Sequence, residues 1–300
     1  MLSVVTPTWR IGGLDVMSQS LIAACADGAP EFEWVVADAL YPWRADVVDR
    51  HRHMMPFEIK HVPVQNNLFP VMSPFRTRNS GVRAASGERV IFATDYSVVT
   101  ADFLKEHARL ADDEVGLAPY VQLEVPVHLW KIPVLWKEWT ADTTWKYVKT
   151  AVSNPSWNWS TMHSVPDPSG LSPRTVPSQP CPLLDPKCEL PPSRYDFHWK
   201  SDSASLRLLR QVNGFDASYD GHDWGDQDLT VRVARTGARF ARLTNSLQVL
   251  DPHPVLYCTV INDAQDNRPR LDAVVASGRT RCRYGLVYDD SVPWEIIGTR

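Results

Sequence analysis

Short apolar runs alternate with amphipathic helical segments over the first third of the chain, and this alternation constrains the fold more than any other feature. The predicted strands cover residues 2–5, 32–37, 56–62 and 89–93. Helical patterns cover residues 14–25, where apolar side chains share one face, and residues 79–85. Strands and helices in this order predict an α/β fold with a mainly parallel central sheet flanked by helices.

Polar residues stand where three of these predicted strands end. Thr8, Asp38 and Asp95 each follow the end of one strand. Ligands of mainly parallel sheets bind at the carboxyl ends of the strands, so we expect these three residues to meet in one crevice. A lone Asp at a strand end is commonly an Asx-turn residue, and that local role remains the alternative for each carboxylate.

The composition excludes several classes of protein. Of the 300 residues, 44% are hydrophobic and 22% are charged, which is typical of a globular protein. The net charge of −4 argues against a general nucleic-acid or anionic-membrane binder. No apolar run approaches the roughly 20 residues of a membrane span, and the first residues do not read as a signal peptide. The five cysteines are an odd number without paired metal spacing, so the expected location is cytoplasmic.

Two common phosphate-binding loops are missing from the sequence. Neither Gly-x-Gly-x-x-Gly nor Gly-x-x-x-x-Gly-Lys occurs, which argues against a Rossmann dehydrogenase and a P-loop ATPase. A nucleotidyltransferase on a similar sheet usually carries a Gly-rich basic loop after its first strand. Residues 6–13 are a poor version of that loop, so this class is a weaker alternative.

The composition changes in the middle of the chain. Six tryptophans fall between residues 130 and 159, and a stretch rich in Pro and Ser follows at residues 165–192. A long segment without periodicity usually has a function or is mobile. Two interpretations are equally open: a surface excursion pinned by buried Trp, or an acceptor-side lid whose aromatic rings stack on sugars.

Acidic residues are concentrated just before and within a predicted helix at residues 226–237. They are Asp216, Asp220, Asp223, Asp226 and Asp228. One or two carboxylates at a helix N-terminus complement its dipole. Because capping does not require so many, the cluster indicates a general base, a cation site or a site for sugar hydroxyls. A second helix is predicted just upstream, at residues 203–212.

His253 stands between two prolines, near the end of a predicted strand at residues 248–250. Most single histidines are structural. One that lies at a strand end beside an acidic pocket is a candidate metal ligand. The last 45 residues contain a helical stretch near residues 271–276 and an Arg-rich segment, 279–283, for which a solvated basic surface is the simpler interpretation.

Taken in order, several of these segments resemble the family 2 type of nucleotide-sugar glycosyltransferase, which has the GT-A fold. Residues 4–10 (Val-Val-Thr-Pro-Thr-Trp-Arg) look like its opening strand and loop, and residues 34–38 look like its second strand. Residues 78–92 are similar to its Arg-Asn-x-Gly-x-x-x-Ala-x-Gly-Glu helix. Residues 214–216 and 225–229 resemble its Gly-Phe-Asp and Glu-Asp-x-Asp-Leu segments.

The resemblance implies a role for each matched residue. Asp226 is the expected general base, and acceptor contacts are expected at Asp223, Trp224 and Gly225. The residues expected to bind the nucleotide sugar are Thr6, Pro7, Thr8, Arg10, Asp38, Arg78, Asn79, Thr94 and Asp95. An Asp that accepts from a base N–H suits uracil, so a UDP-sugar is the preferred donor, although guanine and thymine fit the same logic.

Two departures from the family pattern bear on the cofactor. The Asp-x-Asp motif reads Thr94-Asp95-Tyr96, and the acidic pair reads Gly225-Asp226. If a divalent cation (Mn²⁺ or Mg²⁺) is retained, we expect Asp95 and His253 to hold it. If it is lost, Arg78, Arg10 or residues 279–283 would neutralise the diphosphate.

The resemblance covers residues 2–110 and 197–255. It implies a nucleotide-sugar-binding half at 1–125 and an acceptor and catalytic half at 197–255. Residues 126–196, expected as a Trp/Pro-rich insertion and possible acceptor lid, and residues 256–300, expected as a C-terminal helical extension, match nothing in the family. The expected activity is inverting transfer of a sugar from a nucleoside-diphosphate sugar to an acceptor hydroxyl of a protein, a glycan or a small molecule. The alternative is a catalytically silent GT-A domain that binds a nucleotide sugar or a glycan.

Overall fold

The computed structural model describes residues 1–8, 14–64, 74–95, 97–118, 120–124, 159–160, 199–219, 224–245, 247–251 and 267–288. Its strands are β1 (Leu2–Thr8), β2 (Phe32–Asp38), β3 (Glu58–Pro63), β4 (Arg89–Phe92), β5 (Ser97–Val98), β6 (Glu114–Leu117), β7 (Tyr120–Glu124), β8 (Trp159–Ser160), β9 (Ser203–Ser205), β10 (Arg239–Arg242) and β11 (Leu247–Asp251). Its helices are α1 (Leu14–Ala26), α2 (Tyr41–Arg52), α3 (Pro74–Ala84), α4 (Ala101–Ala108), α5 (Leu206–Gln211), α6 (Gly225–Ala234) and α7 (Arg268–Ser277).

Within the described residues, seven strands form the main sheet in the order β10-β6-β9-β4-β1-β2-β3. Neighbouring strands are parallel except at β9, which runs antiparallel to both β4 and β6. The register places Thr8 opposite Asp38 at the carboxyl ends of β1 and β2. A smaller sheet has the order β5-β11-β7-β8. The predicted α/β class with a mainly parallel sheet and flanking helices is therefore confirmed.

Hydrophobic cores cover both faces of the main sheet, because successive strand side chains point to opposite sides. On β1, Val4 packs into the cluster that contains α1 and α4, whereas Val5 packs into the cluster that contains α3, α5 and α6. Gly81 brings α3 close to β1, since a Cβ atom there would lie 2.3 Å from the Val5 side chain. This close contact fixes the position of α3 and of the polar residues that it carries.

The prediction of one helix over residues 203–212 is wrong in its first part. Residues 203–205 form β9, and α5 begins only at Leu206. Ser205 ends the strand and caps the helix, because its hydroxyl accepts a hydrogen bond from the Leu208 N–H. The described helices include none that is long and apolar enough to cross a membrane.

Candidate active site

The carboxyl ends of β1 and β4 meet through a side-chain hydrogen bond. The Thr8 hydroxyl donates to Asp95 Oδ2 at 3.0 Å, and both side chains are buried. Thr94, one residue earlier, shares a hydrogen bond with Ser97 at 3.0 Å. The structure thus brings together two of the three polar residues predicted to meet in the crevice, and Asp38 lies beside Thr8 in the sheet register.

Three neighbouring residues contact the carboxylate of Asp38. Its carboxylate accepts from the Leu40 N–H at 2.7 Å, lies 2.9 Å from His61 Nε2, and forms an ion pair with Arg44 at 2.9 Å. The Tyr41 ring packs on the His61 ring at 4.6 Å between centroids. These contacts leave the carboxylate enclosed. Any nucleobase N–H that reaches Asp38 would have to share its oxygens with an arginine and a histidine.

Thr6 and Pro7 lie within β1, and both are buried. The Thr6 hydroxyl accepts a hydrogen bond from the Trp34 indole N–H at 2.9 Å. In this structure Thr6 therefore serves the packing of β1 against β2. The roles of Thr6, Pro7 and Thr94 in binding a donor remain predictions.

Helix α3 and helix α6 meet through an ion pair between residues far apart in the chain. Arg78 Nη1 donates to Asp226 Oδ1 at 2.5 Å across a separation of 148 residues. The Arg78 guanidinium also lies 5.1 Å from the centre of the Phe215 ring and 5.8 Å from that of Phe75. Two segments that the sequence analysis singled out separately therefore form one site.

The environment of Asp226 favours a proton on its carboxyl group. Burial raises its pKa to about 6, against the opposing effect of the positive charges on Arg78 and Lys200. The side chain nevertheless keeps 12% of its surface exposed. A carboxylate with a pKa near neutrality is well suited to accept a proton in a reaction at neutral pH.

Asp202 is a second buried carboxylate near this pair, and the sequence analysis did not identify it. Its oxygens accept from the N–H groups of Ala118 at 3.2 Å and Trp199 at 2.9 Å, and its carbonyl accepts from the Phe92 N–H. Burial raises its pKa to about 7, and the negative charge of Asp226 adds to the rise. A lone Asp after the unplaced middle segment offered no sequence signal for this position.

The acidic cluster divides between two environments. Asp228 is fully enclosed and accepts from Arg232 Nε at 2.9 Å and Nη2 at 2.6 Å. Asp216 is also buried, and it accepts from the Ser218 N–H at 2.9 Å. Burial, followed by the charge of Asp228, raises the pKa of Asp216. Of the described members of the cluster, Asp226 is the one that contacts Arg78 and keeps some exposure.

Trp224 and Gly225 form the start of α6. Trp224 has a backbone φ of +69°, and its side chain packs against the core. A Cβ atom on Gly225 would lie 2.4 Å from the Phe75 ring. Both residues therefore set the direction in which α6 presents Asp226. Their proposed contacts with an acceptor are untested.

The structure describes only one member of the expected cation site, Asp95, because His253 lies outside the described residues. Arg10, expected at the donor, and Asp223, expected at the acceptor, also lie outside them. No group of three His, Cys, Asp or Glu side chains suited to a metal occurs within the described part of the chain, and Asp95 is engaged by Thr8. By themselves, then, the described residues do not fit a metal site.

Arginines of the segment 279–283 contact backbone carbonyl groups and a tyrosine. Arg281 donates to the carbonyls of Arg210 and Gln211 at the C-terminus of α5. Arg283 donates to the Tyr288 hydroxyl and lies 5.2 Å from the centre of its ring. In these contacts the arginines tie the segment to α5 and to Tyr288, and no residue of 279–283 is fully exposed. Whether the segment acts as a solvated basic surface or neutralises a diphosphate remains a prediction.

The sequence matches no protein-family model and no curated protein. Among solved structures, S. aureus TarS superposes with a TM-score of 0.51 at 17% identity, over 83% of this chain and 36% of TarS. The TarS 1–349 structure gives 0.50 at 17% identity, over 84% of this chain and 60% of that one. The mannosyltransferase PcManGT from Pyrobaculum calidifontis, solved with GDP-Man and Mn²⁺, gives only 0.44 at 15% identity, over 85% of this chain and 57% of that one.

The likeness to the two TarS structures shows that the chain has the GT-A fold of glycosyltransferases, as the motifs predicted. At 17% identity it shows the fold alone. This chain also spans 36% of one TarS chain and 60% of the other, less than two thirds of each.

Proposed function

We propose that the protein is an inverting glycosyltransferase that moves a sugar from a nucleoside-diphosphate sugar to an acceptor hydroxyl, with Asp226 as the general base. The observation that carries this proposal is the Arg78–Asp226 pair on a GT-A sheet. It joins two segments that resemble glycosyltransferase motifs, residues 78–92 and 225–229, and it includes a carboxylate whose pKa is near neutrality.

The proposed chemistry uses one oxygen of Asp226 for the proton. Because Arg78 engages Oδ1, Oδ2 is the oxygen that receives the acceptor proton. The acceptor oxygen forms a bond to the anomeric carbon while the bond from that carbon to the diphosphate oxygen breaks. The electron pair of the broken bond leaves with the diphosphate, and the carbon inverts its configuration. Negative charge that grows on the diphosphate needs a positive group nearby.

For the donor we propose a UDP-sugar, held at the carboxyl ends of β1, β2 and β4. Thr8 and Asp95 form one wall, and Asp38 would accept from the base N–H while His61 and Arg44 keep its carboxylate oriented. Arg10 and Arg78 are the proposed partners of the diphosphate. A divalent cation at Asp95 and His253 is the proposed alternative and would supply the same positive charge when bound. The acceptor is proposed only as a protein, a glycan or a small molecule, in the cytoplasm.

A catalytically silent GT-A domain is the second candidate, and two observations favour it. The motif at residues 94–96 retains only its central carboxylate. Asp95 is also already hydrogen-bonded to Thr8. Such a domain would bind a nucleotide sugar or a glycan without consuming it.

Thermal unfolding in the presence of nucleotides tests the donor site. The purified protein is heated with UDP, GDP, dTDP or CMP, each with Mn²⁺ or with EDTA, because a ligand that binds only the folded state raises the unfolding midpoint. We expect the largest rise with UDP. Dependence of that rise on Mn²⁺ would support the cation, and persistence in EDTA would support arginine. No rise with any of the four nucleotides would remove the donor site and the proposal with it.

Consumption of the donor separates the enzyme from the silent domain. UDP release from a panel of UDP-sugars is followed with and without candidate acceptors. Release above the rate in buffer supports the transferase. If UDP binds to the protein but no UDP-sugar yields free UDP, the result supports the silent domain.

A further inference from the structure

Asn213 lies at the centre of a loop formed by residues 282–288, here called the C-terminal loop. Its side-chain amide donates to the carbonyls of Cys282 at 2.8 Å and Val287 at 2.9 Å, and its side-chain oxygen accepts from the Val287 N–H at 2.9 Å. A Cβ atom on Gly285 would lie 1.6 Å from the Asn213 carbonyl oxygen, so the loop backbone lies directly against this residue. The loop is thus bound to one residue far away in the chain.

Helix α3 binds the same region from the other side. Arg83 donates from Nε to the Leu286 carbonyl at 2.5 Å and from Nη2 to the Gly285 carbonyl at 2.8 Å. One helical turn earlier, the Asn79 amide donates to the Phe215 carbonyl at 2.8 Å and accepts from the Phe215 N–H at 2.9 Å. Residues i and i+4 share one face of a helix. This face of α3 is therefore tied both to the C-terminal loop and to the turn after Asn213.

The turn between these contacts also supports Arg78. Asn213 and Gly214 both have positive φ angles, of 65° and 69°, which direct the chain so that Phe215 enters the core. The Phe215 ring lies 5.1 Å from the Arg78 guanidinium, close enough for a cation–π contact. Movement of this turn would therefore move a surface on which Arg78 rests.

We propose that the C-terminal loop, through Asn213, positions Arg78 against Asp226. Asn213 and Arg83 are positioning residues in this account, since neither contacts Asp226 itself. The inference rests on the proposed function for its catalytic meaning. The geometric claim, that the loop controls the contact between Arg78 and Asp226, is testable without any substrate.

The expected direction follows from the charged groups that surround Asp226. Arg78 on α3 and Lys200, shortly before β9, lower its pKa, and Asp202, directly before β9, is a neighbouring carboxyl group whose own pKa is raised to about 7. Burial raises the pKa of Asp226, and a looser contact with Arg78 would weaken the positive charge that opposes this rise. The pKa of Asp226 should then rise.

The test measures the free energy of unfolding against pH in four proteins: the wild type, Asp226→Asn, Asn213→Gly, and the double variant. Glycine preserves the positive φ at position 213 and removes only the side-chain bonds. In each background, the free energy of unfolding with Asp226 minus that of the matching Asp226→Asn variant changes with pH only up to about the folded-state pKa of Asp226. The pH at which this change ends is the upper limit. We expect this upper limit to move up by about 0.5 to 1 pH unit in the Asn213→Gly background.

Arg83→Gln tests the same contact from α3 and should move the limit in the same direction. The matched control is Arg235→Gln at the C-terminal end of α6, where the guanidinium donates to the carbonyls of Val274, Val275 and Arg279 and not to the C-terminal loop. The control should lower stability and leave the limit in place. An unchanged limit in both Asn213→Gly and Arg83→Gln, or an equal change in the control, would overturn the proposal. Because no substrate is used, these outcomes are independent of whether a donor is consumed.

Discussion

Asp226 and Asp228 lie in the first turn of the same helix, yet their surroundings differ in almost every respect. Asp228 is fully enclosed and pairs within the helix with Arg232, four residues later. Asp226 keeps some exposure and pairs with Arg78, which another helix supplies from 148 residues away. The comparison teaches that the acidic cluster has an inner, structural member and an outer member that is available for chemistry.

The difference follows from what each arginine does. Arg232 donates twice to Asp228 and once to the Val212 carbonyl, so it ties α6 to the end of α5. Burial lowers the pKa of Arg232, but the charge and hydrogen bond of Asp228 outweigh this and raise it overall. Arg78 instead rests beside aromatic rings and reaches one oxygen of Asp226. Both bonds from Arg232 end on Oδ2 of Asp228, and that side chain is fully buried, whereas the side chain of Asp226 keeps 12% of its surface exposed. Asp226 is therefore the carboxylate of the two that a bound molecule could reach.

The largest effect should come from breaking the inner pair. Arg232→Met removes the cation and leaves Asp228 buried without its partner, which typically costs about 3 to 5 kcal/mol in the free energy of unfolding. Asp226→Asn should cost far less at neutral pH, because it removes a charge that burial disfavours. Chemical denaturation of both variants measures the difference. Equal losses would erase the distinction between the two carboxylates.

A pH dependence of about 2 kcal/mol in the free energy of unfolding should distinguish Asp226 next. Its folded-state pKa of about 6 lies above its ordinary value near 4. Its contribution to stability is therefore fully present below about pH 4 and is lost as the pH rises through about 6. The wild-type value minus that of Asp226→Asn should fall by that amount between pH 4 and 7. If this difference in the free energy of unfolding is constant or rises between pH 4 and 7, the pKa of Asp226 is not raised by burial.

A smaller loss in the free energy of unfolding is expected from a substitution at the start of α6. Gly225→Ala places a methyl group against the Phe75 ring and should cost about 1 to 3 kcal/mol by overpacking. In a Phe75→Leu background, which opens space at the ring, the same substitution should cost less. A double-mutant cycle by denaturation gives the coupling between the two sites. Independent costs would show that Phe75 does not fix the position of α6.

The smallest effect is expected at an exposed ion pair. Asp113 and Arg239 are bound at 3.0 Å, but both side chains are about half exposed. Water and salt screen such a pair. Asp113→Asn should therefore give an unfolding curve that superimposes on that of the wild type, in contrast to Arg232→Met. A large loss here would mean that pairing itself, and not burial, decides the strength of these contacts.

The sequence patterns predicted local structure well where the periodicity was clear. The first two strands, α1 and the α/β order agree with the structure, because an apolar strand or an amphipathic face is a property of consecutive residues. The patterns did not predict helix α2, and they assigned the residues of β9 to a helix. The three small residues of β9 form a strand only because β4 and β6 lie on either side of them.

The site was predictable only in parts. The motifs identified Arg78 and Asp226 separately, but nothing in the sequence paired them across 148 residues. Asp202 carried no motif, and its proximity to Asp226 depends on how β9 enters the sheet. Similarly, no sequence pattern links Asn213 to the C-terminal loop, since that contact depends on two positive φ angles and on tertiary packing.

The most direct test of the central claim is the turnover of Asp226→Asn with a UDP-sugar that the wild type consumes. A general base typically contributes 10²- to 10⁴-fold. We predict that UDP release falls by about that factor, while the unfolding midpoint and the shift produced by UDP remain close to those of the wild type. Turnover equal to that of the wild type in a folded, UDP-binding variant would contradict the assignment of Asp226 as the base.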